Sequence, residues 1–276
     1  MAKSEALEKF WAQHHIEIEL FGQAIQGVKS SPPTPEKEVT GLLAMVGHSY
    51  NGELMVVGKA VNGDIAGAKC SVPELDDRFI EDCVCCSAFG PTRNQQRCPM
   101  LWVTDQWGEE RARHLWDHEE WPGKPYSTQR SAFWRGIKGI LPRLAIGDVE
   151  GDSWPSHLVW TNLYKVAPAE GGNPSTPLCA AQFDCCVELL KSEIQFYRPK
   201  RVLFSTGLDW AKPFLTKLGA TLEGPPPRTE LRFIKAIGAF RNLCEPAPQV
   251  VVASHPERKP QEAWINNVVT AFGAMH

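Results

Sequence analysis

Runs of apolar residues ending abruptly in glycine or polar residues set the rhythm of this chain, and the first clear one is "LMVVGKAVNGD" at 54 to 64. Four apolar residues, Leu54 to Val57, read as a strand buried on both faces, and Gly58 permits the sharp exit and close ligand approach that a side chain would block. Further strands are predicted in "HLVWTNL" (157 to 163), "RVLFS" (201 to 205) and "QVVVAS" (249 to 254). Between and after them, apolar residues recur at steps of three and four, which predicts helices in "SAFWRGIKGILPRL" (131 to 144), from about 178 to 197, in "DWAKPFLTKLG" and in "PQEAWINNVVTAF". In the last of these, Trp264, Val268 and Phe272 share one face. Upstream, residues 3 to 27 read as a leading amphipathic helix and "SSPPTPE" at 30 to 36 as a stiff linker. Residues 65 to 125 carry charges, tryptophans and cysteines with little periodicity, which suggests an elaborated loop region over a site.

Alternation of apolar strands with helices of this length specifies a parallel sheet covered on both faces. The expectation is an α/β fold, a three-layer α/β/α sandwich with a central parallel sheet. It forms one domain over 1–276 that begins with an N-terminal helix and linker (1–50).

Composition adds limits rather than a function. At 276 residues, 43% hydrophobic and 22% charged, the chain can bury a full core. Formal net charge is only -3, with 29 Lys+Arg against 32 Asp+Glu, so contact with nucleic acid has to rest on a local basic face. No run of about 18 apolar residues exists and "MAKSEALEKFWAQHH" lacks the apolar core of a signal peptide, so a cytoplasmic protein is expected. Nine cysteines then imply reduced thiols. "CVCC" at 83 to 86, Cys98, and His114 and His118 in "HLWDH" lack the two spaced ligand pairs of a structural metal site, so no metal and no cofactor is expected. Cys186 falls on a helical stripe with Phe183, Leu190, Ile194 and Tyr197 and reads as core, as does Cys185 beside it.

In open sheets of this kind ligands bind outside the carboxyl ends of the strands. Three of the four predicted strand ends carry polar residues there: "GKAVNGD" after the first strand, "TNLYK" at the second and "SHPERK" after the last. Taken singly, Asn162 reads equally as a capping residue and His255 as a turn histidine, but their convergence at one sheet edge favours a site.

These blocks carry a resemblance. "TNLYKVAPAEGGNPS" followed by "CCVELLKSEIQFYRPKRVLFSTG" resembles the segment of iron-sulfur uracil-DNA glycosylases that runs from an Asn-x-x-Lys strand end to a strand ending in glycine. "GKAVNGD" occupies the place of that superfamily's first motif, and "SHPERK" that of its second. "RSAFWRGIKGIL" resembles the Phe-Trp helix of the mismatch-specific and single-strand-selective branches. The chain departs from the iron-sulfur type in having no cysteine before Cys70, so that cluster is not expected. Where the first motif supplies an acid or amide that orients water, this chain has Lys59 and Ala60. Where many relatives carry an apolar wedge, it has Glu257, Arg258 and Lys259.

The resemblance implies a DNA glycosylase that excises uracil or a related deaminated base, with DNA, including single-stranded DNA, as partner. His255 is then the donor to the departing base, and Asn62 and Asp64 are candidates to orient or activate water. Asn162 reads the base edge, backbone N–H groups of Gly58 and Lys59 hold the other carbonyl, and Phe89 covers the ring. Lys165, Arg258 and Lys259 contact phosphates. The alternative is an inactive module of the same fold that binds a base, nucleotide or single strand.

Overall fold

The computed structural model describes residues 5–31, 34–63, 65, 68–108, 127–147, 151–224 and 231–275. The chain opens with helices α1 (Glu5–Gln13) and α2 (His15–Ser30), then strands β1 (Glu38–Gly41), β2 (Met45–Val46), β3 (Leu54–Gly58) and β4 (Lys69–Ser71). Helices α3 (Asp77–Phe89), α4 (Trp102–Asp105) and α5 (Ala132–Arg143) follow, then β5 (Val159–Asn162), β6 (Val166–Pro168) and the long α6 (Thr176–Tyr197). The remaining elements are β7 (Arg201–Phe204), α7 (Leu208–Lys217), β8 (Thr221–Glu223), β9 (Ile234–Ala239), β10 (Gln249–Ala253) and α8 (Gln261–Gly273).

The four strands expected from the apolar runs are present, and they are parallel neighbours in the order β5-β3-β7-β10. The sheet is nevertheless mixed: β2 pairs antiparallel with β5 at one edge, and β9 and β8 extend the other edge antiparallel to give seven strands. A separate three-stranded antiparallel sheet, β4-β1-β6, stands beside it. Two- and three-residue strands such as β2 and β8 are too short to show a period of two, which is why the sequence pattern carries no trace of them.

All five residues of β3 are buried, and the two faces belong to different apolar clusters. Leu54 and Val56 join the cluster that holds Ile137 and Ile140 of α5 and Trp264 and Val268 of α8. Met55 and Val57 join the one that holds Leu190 and Ile194 of α6 and Phe214 of α7. Each such side chain contributes about 1.5–3 kcal/mol on full burial. On α5, a Cβ at Gly136 or Gly139 would collide with Trp264 or Ile265, so the small residues let α5 approach α8 closely.

Two expectations are corrected. The leading helix is two helices, broken where His14 leaves helical geometry at φ -113 and ψ 22, its ring stacked on Phe10 at 4.2 Å. The stretch read as loop contains the 13-residue helix α3, started by Asp76 accepting from the Phe79 N–H and burying Phe79, Ile80, Cys83, Val84 and Cys86. Its cysteines made the stripe hard to read because they act there as small apolar residues. Among the described residues, no helix is long and apolar enough to cross a membrane.

Candidate functional site

β3 and β5 run in register to their last residues, so Gly58 lies opposite Asn162. The pairing continues beyond the strands, with the Leu163 N–H donating to the Gly58 carbonyl at 2.9 Å and the Tyr164 N–H to the Lys59 carbonyl at 3.0 Å. Asn162 is 2% exposed. A Cβ at residue 58 would fall on its Oδ1, so the glycine is what allows this amide to lie across the strand end. Among the described residues Asn162 Nδ2 has no hydrogen-bond partner, yet the residue lines a cavity of about 880 Å³. Leaving a buried amide donor unpaired costs about 1–3 kcal/mol, and a ligand acceptor would remove that cost.

His255 reaches the same cavity from the end of β10. Its segment is tied down on both sides: the Ser254 N–H donates to the Phe233 carbonyl at 2.8 Å, and Trp264 Nε1 of α8 donates to the Ser254 carbonyl at 2.8 Å. Beyond it the chain turns sharply through Arg258 at φ 58, a left-handed conformation that non-glycine residues adopt at a cost. This turn brings the Glu257 N–H to His255 Nδ1 at 3.3 Å. An Nδ1 that accepts leaves the proton on Nε2, so the neutral ring has a donor free for a ligand. Burial, and next the charge of Lys59, lower the proton affinity of His255 below that of an ordinary histidine, which favours this neutral form.

The cavity's aromatic wall comes from α4, α5 and β5. Trp134 meets Trp160 edge-on at 5.2 Å and Trp102 at 5.6 Å. Phe133 lies nearly parallel to the His255 ring at 6.5 Å and also lines the cavity. Phe89, chosen from sequence to cover a base, is not in this wall; it ends α3 and packs 6.5 Å from Phe10. The signal for the aromatic residues that do line the cavity was already present in the "FW" pair at the start of α5.

Other sequence candidates divide. Gly58, Lys59, Asn62, Asn162 and His255 all line the one cavity. Asn62 Oδ1, however, accepts the Gly172 N–H at 2.9 Å and so pins two loops together. Asp64, like His114 and His118, lies outside the described residues. Lys165 is not a phosphate contact: its side chain is 0% exposed, and its Nζ donates to both oxygens of Glu193 at 2.8 Å and to Thr161 Oγ1. Lys165 lies in the connection between β5 and β6 and is buried, where only an acidic partner makes its charge tolerable.

Arg258 and Lys259 are exposed and line a second cavity of about 880 Å³ together with Lys59, Lys235, Trp210 and the start of α7. Lys59 Nζ sits 5.0 Å from the centre of the Trp210 ring. Lys59, His255 and Glu257 line both cavities and form the wall between them. Glu257 is the sole carboxylate among the described residues lining the first cavity. Lys235 and Trp210 had no motif to mark them and arrive through β9 and α7; Glu257 lies in the "SHPERK" block and arrives by the turn after β10. Among the described residues, no group of three or more His, Cys, Asp or Glu could hold a metal ion.

No protein-family model matches the chain, and no curated protein matches it.

Proposed function

We propose that this protein is a DNA glycosylase of the uracil-DNA glycosylase superfamily, a three-layer α/β/α sandwich that excises uracil or a related deaminated base. The observation that carries the reading is the buried Nδ2 of Asn162, unpartnered among the described residues, in a cavity shared with His255. An amide offers a donor and an acceptor, the pair needed to read the edge of a flipped pyrimidine, and the neighbouring rings of Phe133 and Trp134 suit its faces. The site also lies where the strand order reverses: β3 leads to β5 on one side and β7 leads to β10 on the other, which opens the crevice that open α/β sheets use for ligands.

Breaking the N-glycosidic bond leaves negative charge on the base and positive charge on the sugar. The Nε2–H of neutral His255 supplies a donor to the developing anion, fixed in orientation before reaction by the Glu257 N–H on Nδ1. The cavity in which Lys59, Lys235, Arg258 and Lys259 outnumber the carboxylates Asp209 and Glu257 suits the flanking phosphates. With base and phosphate in adjoining cavities, the sugar lies at the wall of Lys59, His255 and Glu257.

The test is excision from single-stranded and duplex uracil-containing oligonucleotides, followed as alkali-labile strand breaks. Wild-type protein should cleave, His255→Ala should slow cleavage by on the order of a hundredfold or more, and Asn162→Ala should weaken discrimination for uracil by about 1–3 kcal/mol. Cleavage that persists in both variants would refute the assignment. A second reading, a module that holds the base without hydrolysing it, draws on Ala60 at the water-orienting position and on the engagement of Asn62 by Gly172. Uracil-dependent binding by wild-type protein with no cleavage, lost in Asn162→Ala, would select it.

A further inference from the structure

The wall shared by the two cavities contains an amine as well as a donor and a carboxylate. Lys59 follows Gly58 directly, and its backbone is fixed by the Tyr164 N–H on its carbonyl at 3.0 Å. Its side chain is half-buried, and its Nζ rests 5.0 Å from the Trp210 ring centre rather than on an acid. Among the described residues no carboxylate lies within ion-pair distance of it. A charged lysine built only to bind phosphate has no need to line the base cavity as well, but Lys59 does so. It is therefore placed beside whatever links a planar group in one cavity to an anion in the other. For a nucleotide of a DNA strand that link is the deoxyribose, and its anomeric carbon faces the base cavity.

We propose that Lys59 is the nucleophile of a second activity, a lyase step on abasic deoxyribose in DNA, in which its amine forms an imine with C1′. The proposal rests on the reading that one nucleotide spans the two cavities. Once a base has left, the C1′ hemiacetal opens to an aldehyde, a carbonyl with which a primary amine condenses. Lys59 Nζ first gives up its ammonium proton to solvent; the lone pair then attacks C1′, the carbonyl oxygen takes up a proton, and loss of water from the carbinolamine leaves a protonated imine. That cation acidifies C2′. The Glu257 carboxylate, in the same wall, takes a C2′ proton; the electron pair forms the C2′–C3′ double bond and the C3′–O bond breaks, releasing the 3′ phosphate. Water then hydrolyses the conjugated imine, returning the free amine and an unsaturated aldehyde. Every atom comes from the abasic strand, the two side chains or solvent, and no oxidant or reductant enters.

The experiment uses full-length protein and an oligonucleotide carrying a preformed abasic site, so base excision is bypassed. Sodium cyanoborohydride reduces any imine to a stable amine, which appears as a slow-migrating protein–DNA band. The expected result is a trapped band with wild-type protein whose adduct maps by peptide mass to Lys59. It should be absent in Lys59→Ala and Lys59→Arg and absent with a tetrahydrofuran analogue, which has no aldehyde. Thermal melting of both variants establishes that they are folded. A wild-type protein that traps nothing, or a band that survives Lys59→Arg or maps to the N-terminal amine, would overturn the proposal. Uracil excision measured on the same preparations separates the two ideas. Excision without trapping removes the lyase step alone, whereas absence of excision, trapping and abasic-strand binding together removes the site reading beneath it.

Discussion

Replacing Lys165 by methionine tests how the interior beneath the site is held together. Lys165 and Glu193 have side chains 0% and 1% exposed. The ammonium donates to both carboxylate oxygens at 2.8 Å, and Thr161 Oγ1 donates to Glu193 Oε2 at 2.8 Å. Gln182 completes the group by accepting the Lys165 backbone N–H at 3.1 Å. At an effective dielectric of about 20, two unit charges at that separation attract by about 6 kcal/mol, and desolvation of the two ions offsets much of this. Lys165→Met removes the attraction and leaves Glu193 desolvated, so the expected loss is about 3–5 kcal/mol. For a chain of this size that lowers the melting temperature by on the order of 10 °C. In the double variant Lys165→Met/Glu193→Leu no charge is left buried, and stability should return to within about 1–2 kcal/mol of wild type. Urea unfolding of the three proteins measures both quantities. Oligonucleotide binding by the folded fraction should keep its dependence on salt, since Lys165 reaches no ligand. Unchanged stability in Lys165→Met, or a salt slope reduced by about one, would refute the reasoning and return Lys165 to the binding face.

Other predictions concern the cavity and its titrating groups. Gly58→Ala places a Cβ against Asn162 Oδ1 and should cost about 1–3 kcal/mol in stability while impairing uracil discrimination as Asn162→Ala does; wild-type excision kinetics in this variant would contradict the close approach. Phe133→Ala should weaken substrate binding by about 1–3 kcal/mol through lost stacking, whereas Phe89→Ala should lower the melting temperature and leave binding intact, and the reverse pattern would restore Phe89 to the site. His255 acts in its neutral form and its proton affinity is lowered, so the acid limb of an excision pH profile should lie below the ordinary histidine value of about 6.5. Lys59→Met removes one of the lowering charges and should move that limb to higher pH; an unmoved limb would detach Lys59 from His255. His14 is also buried, and burial lowers its proton affinity against the opposing charge of Glu17. The unfolded chain therefore takes up this proton first as pH falls, so its contribution reduces stability below about pH 6.5, between the unfolded and folded values. Denaturant unfolding at two pH values should show the slope reduced in His14→Gln.

The sequence by itself determined the four central strands and four of the helices, because each is long enough for its apolar spacing to register. Leu54 to Val57 carry a continuous apolar run since both faces are covered, and Trp264, Val268 and Phe272 repeat at helical steps since one face is. It also determined that Asn162 and His255 stand at the same sheet edge, because parallel strands put their carboxyl ends on one side. Tertiary structure decided what those residues meet. Lys165 looks like a phosphate contact in the string "TNLYK", but which way a lysine points depends on an acid 28 positions later in α6, and no local pattern reports that. Phe133 enters the cavity from α5, which Gly136 and Gly139 let lie close against α8, a contact between segments over 120 residues apart, while Phe89 ends α3 and packs near Phe10. Lys59, His255 and Glu257 form one wall only because β3 and β10 are brought to either side of β7. Spacing along the chain encodes which face of an element is buried; the distances between elements, on which chemistry depends, arise only when those faces pack.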